Sequence, residues 1–158
     1  LITLHQGGEI TNHEEYHETG TCEVFLKETS QRCDLFSQLP EKFKVQLGHK
    51  DTPIEEGEDM ISLAYSEDAP IQAFKIQDKQ AWGILFHPEL NADRIRDRLK
   101  MLTDYLPGED VEEGIMKEVD NEALGHQVLH KFLQTFIFDQ KVEDNVQLSE
   151  VINQVSKK

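Results

Sequence analysis

A histidine, a proline and a glutamate stand together at residues 87–89, directly after the apolar run "AWGILF". Along extended backbone, residues i and i+2 project to the same side, so His87 and Glu89 can meet at the mouth of a strand. Pro88 has no N–H for a sheet ladder, so the sheet has to end there. A carboxylate on one ring nitrogen fixes the imidazole tautomer and stabilises the imidazolium. The other nitrogen is then free to take a proton from a nucleophile. The pair is a general base with its orienting group, the supporting part of a nucleophilic triad. As an isolated tripeptide it reads better as punctuation between strand and loop, so the elements around it carry the decision.

Two other histidine pairs compete for attention. His13-Glu14-Glu15-Tyr16-His17 is formally H-E-x-x-H, which on a helix puts both histidines on one face with Glu14 as base. Thr11 and Glu14 even fit a capping box. A zinc-site helix must bury its other face, and the stretch between Gly8 and Gly20 has almost nothing apolar to bury. No third ligand follows at a suitable spacing, so the expectation is an exposed link without metal. His126 and His130 are also four apart, on the side of a helix away from its apolar stripe, and read as solvated.

The elements that must position the strand-end pair follow from periodicity. "TCEVFLKE" places Cys22, Val24 and Leu26 on one face of a strand. "CDLFSQLP" predicts a short helix stopped before Pro40. "FKVQLGH" is a strand with Phe43, Val45 and Leu47 on one face. "MISLAYS", "PIQAFKIQ" and "AWGILFH" are three more, joined by hairpin turns at "EDA" and "QDKQ". In the last of these, Trp82 and Phe86 read as core of a strand buried on both sides. Then the period changes. Ile95, Leu99, Leu102 and Leu106 form one helical stripe, with Asn91 as N-cap and Pro107-Gly108 as stop. Glu109 to Asp120 reads as an acidic, solvated loop. Leu124, Val128, Phe132 and Phe136 mark a second amphipathic helix, and residues 142–158 a weaker third. Strands come first and helices last, an α/β unit.

Length and charge narrow the function. The 158 residues suffice for one domain with a core. Thirty-one acidic against sixteen basic residues give a net charge of −15. Such a surface repels phosphate backbones and anionic lipid, so neither nucleic acid nor a membrane is the expected partner. The apolar runs are too short to span a bilayer. Two cysteines, Cys22 and Cys33, are too few for a disulfide framework, which points to the cytoplasm.

Several segments, taken in order, resemble the class I glutamine amidotransferases. "GILFHPEL" is similar to their G-x-Q-F-H-P-E signature, and "GGEI" to their Gly-Gly-x-Val turn and strand. "LFSQLPEKFKVQLGHKDTP" and "ISLAYSEDAPIQAFKIQDKQAWGILFHPE" resemble the segments that lead into the signature. The likeness covers about residues 4–106, and the most similar branch is the glutaminase domain of GMP synthase with its stand-alone relatives. It implies a flavodoxin-like α/β fold, of which residues 1–106 hold the second half of the sheet. Residues 107–158 would then be an acidic loop and a C-terminal helical extension.

The resemblance also implies a chemistry. A cysteine thiolate attacks the side-chain amide of glutamine, ammonia leaves, and water cleaves the thioester. His87 matches the general base and Glu89 its orienting carboxylate. Leu47, Gly48 and His49 match a region lining the glutamine pocket. The family's Gly-x-Cys-x-Gly nucleophile elbow has no counterpart here. None of the six residues before Gly7 is cysteine, and neither Cys22 nor Cys33 matches the elbow. "LHQ" matches the last turn of the helix that follows it. The chain opens on Leu1 rather than Met, so the expectation is a nucleophile half lying upstream, with this chain inactive and prone to associate by itself. No cofactor or metal is implied, and the implied partner is a synthetase or other ammonia acceptor. The alternatives are a γ-glutamyl peptide hydrolase of the same fold and a non-catalytic binding or regulatory module.

Overall fold

The computed structural model describes residues 1–102 and 123–138. The chain opens with one helical turn, α1 (Ile2–His5), as expected of "LHQ", and leaves it at Gly7, where φ is +80°. That region is open to glycine at no steric cost. Gly8 is then pressed against the backbone of Glu55 and Gly57, and a Cβ built on it would stand 2.6 Å from the Glu55 carbonyl oxygen.

Two antiparallel sheets follow. The smaller pairs β1 (Glu9–Thr11), the strand that the likeness of "GGEI" implies, with β4 (Thr52–Glu55), a short strand without clear alternation that was not expected. The larger comprises β2 (Glu18–Leu26), β3 (Lys42–His49), β5 (Met60–Tyr65), β6 (Ala73–Ile76) and β7 (Trp82–Ile84). Its spatial order is β3-β2-β5-β6-β7. β2 and β3 are in register from Glu18 opposite His49 to Phe25 opposite Lys42. Both expected hairpins form. Ser66 N–H donates to the Ala69 carbonyl at 2.9 Å, and Ile76 N–H to the Ala81 carbonyl at 2.9 Å, with Asp78 at φ 55°. Asp accepts that left-handed geometry more readily than most residues.

Val24, Phe36, Phe43, Val45, Leu47 and Leu63 form the heart of the core, each at most 4% exposed. α3 (His126–Leu133), continued by a π turn over Gln134–Phe138, packs on it through Val128, with Leu124, Phe132 and Phe136 at the margin. α2 (Ala92–Leu102) buries Ile95 and is capped as predicted: Asn91 Oδ1 accepts from Arg94 N–H at 3.0 Å. The acidic loop, the stop at Pro107-Gly108 and the third helix lie outside the described residues.

Two expectations change. The short helix at "CDLFSQLP" is replaced by a 3₁₀ helix at Glu28–Arg32 followed by turns. Cys33, Leu35 and Phe36 are all buried, so this segment is held by packing inward at successive positions and not by a helical stripe. β7 is not buried on both sides. Among the described residues it lies at the sheet edge, with Trp82, Gly83, Ile84 and Leu85 only half-buried and Phe86 alone enclosed. A continuous apolar run does not distinguish a central strand from an edge strand covered by aromatic rings. Here Phe132 and Phe136 pack on Trp82, with ring centroids 6.1 and 5.0 Å away.

Candidate active site

Beyond β7 the chain bends at Leu85–Phe86, curls back toward β3 and turns at Pro88–Glu89. Leu85 N–H donates to the Gln72 carbonyl at 2.9 Å, and His87 N–H to the Gln46 carbonyl at 2.8 Å. Two backbone bonds, one to β3 and one to the residue just before β6, therefore fix the segment that carries the histidine. His87 is held where β3 nears its end, and Pro88 takes the chain out of the ladder.

His87 Nδ1 lies 2.9 Å from Glu89 Oε1. Burial by itself works against the charged form of Glu89. The bond from its own backbone N–H, the His87 hydrogen bond, and the charges of His87 and Arg98 together outweigh burial and hold the carboxyl below its ordinary value of 4.5. An ionised carboxylate only accepts, so Nδ1 is the donor and carries the hydrogen. In the neutral imidazole Nε2 then holds the lone pair, the form required of a general base. The ring is 22% exposed and the carboxylate 53%, so a reactant can reach the pair.

The free nitrogen faces the end of β3. A Cβ built on Gly48 would stand 3.8 Å from His87 Nε2, so the glycine leaves this approach open. The other two residues singled out with Gly48 point elsewhere. Leu47 is wholly in the core, and only its backbone can line the site. The His49 ring turns away into a buried polar cluster, with Nε2 at 3.4 Å from Glu18 Oε2 and Nδ1 at 3.1 Å from Thr52 Oγ1. Sequence reasoning passed over Glu18, Ser66 and Gln72, which complete that cluster. The available signal was polar residues at inward positions of otherwise apolar segments. A cavity of about 280 Å³ opens on the far side of Glu89, lined by Gln46, Asn91, Arg94 and His126.

The remaining candidates are dispersed. His13 and His17 flank a three-residue 3₁₀ turn, Glu14–Tyr16, with extended backbone at both, so they share no helical face. His126 and His130 are exposed and stack edge-on at 6.0 Å. Among the described residues no group of three or more His, Cys, Asp and Glu is placed to hold a metal ion. Cys22 is half-buried on β2, and Cys33 is 3% exposed in the core. Among the described residues no helix is long and apolar enough to cross a membrane.

An α/β scaffold presenting a histidine–carboxylate pair at a strand end fits a hydrolase or acyl-transfer class. Residues 1–100 match the family model described as glutamine amidotransferase class-I, and the chain belongs to that family. It is 33% identical over 91 residues to one subunit of the glutamine-hydrolysing GMP synthase of Methanococcus aeolicus, covering 58% of this chain and 46% of that one. It is 37% identical over 103 residues to the glutamine-hydrolysing GMP synthase of Latilactobacillus sakei, covering 63% of this chain and 19% of that one. The chain thus spans less than half the length of these relatives. Among solved structures, a glutamine amidotransferase from Thermotoga maritima superposes with a TM-score of 0.68 at 18% identity, over 84% of this chain and 56% of that one. A putative GMP synthase subunit from Thermoplasma acidophilum gives 0.60 at 18% identity, over 90% and 55%. The fold is that of the class I glutamine amidotransferases, flavodoxin-like, with the described sheet antiparallel and curled.

Proposed function

We propose that this chain supplies the acid–base half of a glutaminase site. His87 is the general base, Glu89 its orienting carboxylate, and the nucleophile is a cysteine outside these 158 residues. The observation that carries the reading is the 2.9 Å His87–Glu89 bond with Nε2 turned to the open face of Gly48. Nε2 takes the thiol proton as sulfur bonds to the amide carbon of the glutamine side chain. The same proton passes to the departing nitrogen, which leaves as ammonia. Water, deprotonated by the returned base, then cleaves the thioester to glutamate and free thiol. Cys33 is enclosed in the core and Cys22 lies within a strand, so neither sits on the exposed strand-to-helix elbow that this step needs.

The likeness to GMP synthase subunits supports glutamine as substrate and a synthetase as acceptor of the ammonia, and cytoplasmic residence goes with that role. Ammonia release from glutamine tests the assignment. The chain alone should give none, and activity should appear on adding a polypeptide that carries the family's nucleophile elbow. It should then be lost on His87→Ala. A base positioned in this way contributes about 10²–10⁴-fold. Turnover by the chain alone that vanishes on Cys22→Ser or Cys33→Ser overturns the reading.

A further inference from the structure

Glu18 heads β2 directly opposite His49 at the end of β3, and it is 6% exposed. A carboxylate so enclosed is costly unless its lone pairs are used. Glu18 Oε2 accepts from Ser66 Oγ at 2.9 Å and from Gln72 Nε2, and it faces His49 Nε2 at 3.4 Å. Ser66 and Gln72 are themselves buried, at 5% and 0% exposure. The chain of bonds continues on the other side of the ring. Thr52 Oγ1 stands 3.0 Å from the Tyr16 carbonyl, which can only accept, so the single hydroxyl hydrogen is spent there. His49 Nδ1, 3.1 Å from the same oxygen, must then be the donor. The ring is thereby oriented from both nitrogens.

This cluster reaches the candidate site along two routes. One is through His49 to its neighbour Gly48, the residue against His87 Nε2. The other is through Gln72, whose side chain binds Glu18 while its backbone carbonyl accepts from Leu85 N–H, two residues before His87. Polar groups buried at one end of an apolar sheet are an expensive way to gain stability, the more so because Gln72 Oε1 is buried without a partner, but the bonds that Ser66 and Gln72 donate to Glu18 constrain how the strands meet there. We propose that Glu18, with His49, Ser66 and Gln72, is a positioning residue for the reaction. It holds the wall of the site at Gly48 and the strand bearing the base in fixed relation. The inference rests on His87 being that base.

Nuclear magnetic resonance on the full chain tests it, with imidazole and amide nitrogens as probes. In the wild type His49 should carry a hydrogen on Nδ1, and a bare Nδ1 overturns the bond chain. Glu18→Gln, which keeps the size and removes the carboxylate, should shift the Gly48 amide and the His87 Nε2 resonances together. The amides of Lys42 and Phe43 at the opposite end of β3 should stay in place, a selectivity that general loosening does not produce. Thr52→Val breaks the chain at its other end and should move the same two signals, whereas Thr52→Ser should restore them. If Glu18→Gln does not fold, the Thr52 pair decides alone. Unmoved Gly48 and His87 signals in the folded variants overturn the proposal. These signals read positioning irrespective of turnover. A chain that shows the coupled shifts yet never releases ammonia in the complemented assay keeps this inference and loses the glutaminase reading.

Discussion

At the scale of single residues, the site depends on which His87 nitrogen carries the hydrogen, and Glu89 decides that. Were the carboxyl protonated, it could donate, and the direction of the bond would no longer be set. Because the folded protein holds the Glu89 carboxyl below its ordinary 4.5, folding favours the ionised form. The contribution is present above the unfolded value and is lost as pH falls through the folded one. With the carboxylate half in solvent, solvent screening keeps the effect small. The urea midpoint of the wild type should therefore decline below about pH 4.5 somewhat more steeply than that of Glu89→Gln. Parallel curves for the two proteins would show that the His87 pairing does not bias the carboxyl.

At the scale of elements, β7 is an edge strand kept in place by its rings. Gly83 pairs with Phe74 across the β6–β7 ladder, and the Phe74 ring lies over the glycine so closely that a Cβ there would overlap it. An aromatic covering a strand glycine compensates for the side chain the glycine lacks. The consequence reaches the site, since β7 leads within three residues to His87. Gly83→Val should displace Phe74 and cost about 1–3 kcal/mol, the usual range for overpacking. Urea unfolding measures this, and a neutral result would mean that the Phe74 ring has room to swing aside.

At the scale of the whole molecule, charge dominates. A net −15 over 158 residues repels itself in the compact state. Some pairs oppose this locally, such as Lys42 with Glu23 at 2.7 Å, but both are about half exposed, and such pairs add little. Salt should therefore stabilise the protein. Raising NaCl from about 0.02 to 0.3 M shortens the screening length to below 10 Å and should raise the unfolding midpoint. A midpoint that falls with salt would show that attractive pairs outweigh the net repulsion.

Much of this arrangement is local and was legible from residue order. His87 and Glu89, two residues apart, were expected to meet along extended backbone; they meet at 2.9 Å across a turn instead, in which Leu90 N–H donates to the His87 carbonyl at 3.3 Å, and that contact is still local. The hairpin turns and the Asn91 cap depend on residues within a few positions of one another. Alternation in β2 and β3 named Val24, Phe43, Val45 and Leu47 as core, and they are. What residue order did not determine is long-range. Glu18 meets Ser66 and Gln72 across 48 and 54 residues. No periodicity marks such a meeting, because it is created when β2, β3 and the β5–β6 turn converge. The edge position of β7 has the same origin, since a run of apolar residues reports burial but not what provides it. So the sequence by itself determined the candidate pair, His87 and Glu89, because the two are neighbours in the chain. The tertiary structure alone decided what stands against its free nitrogen, because that wall is built from strands whose contact exists only in the folded sheet.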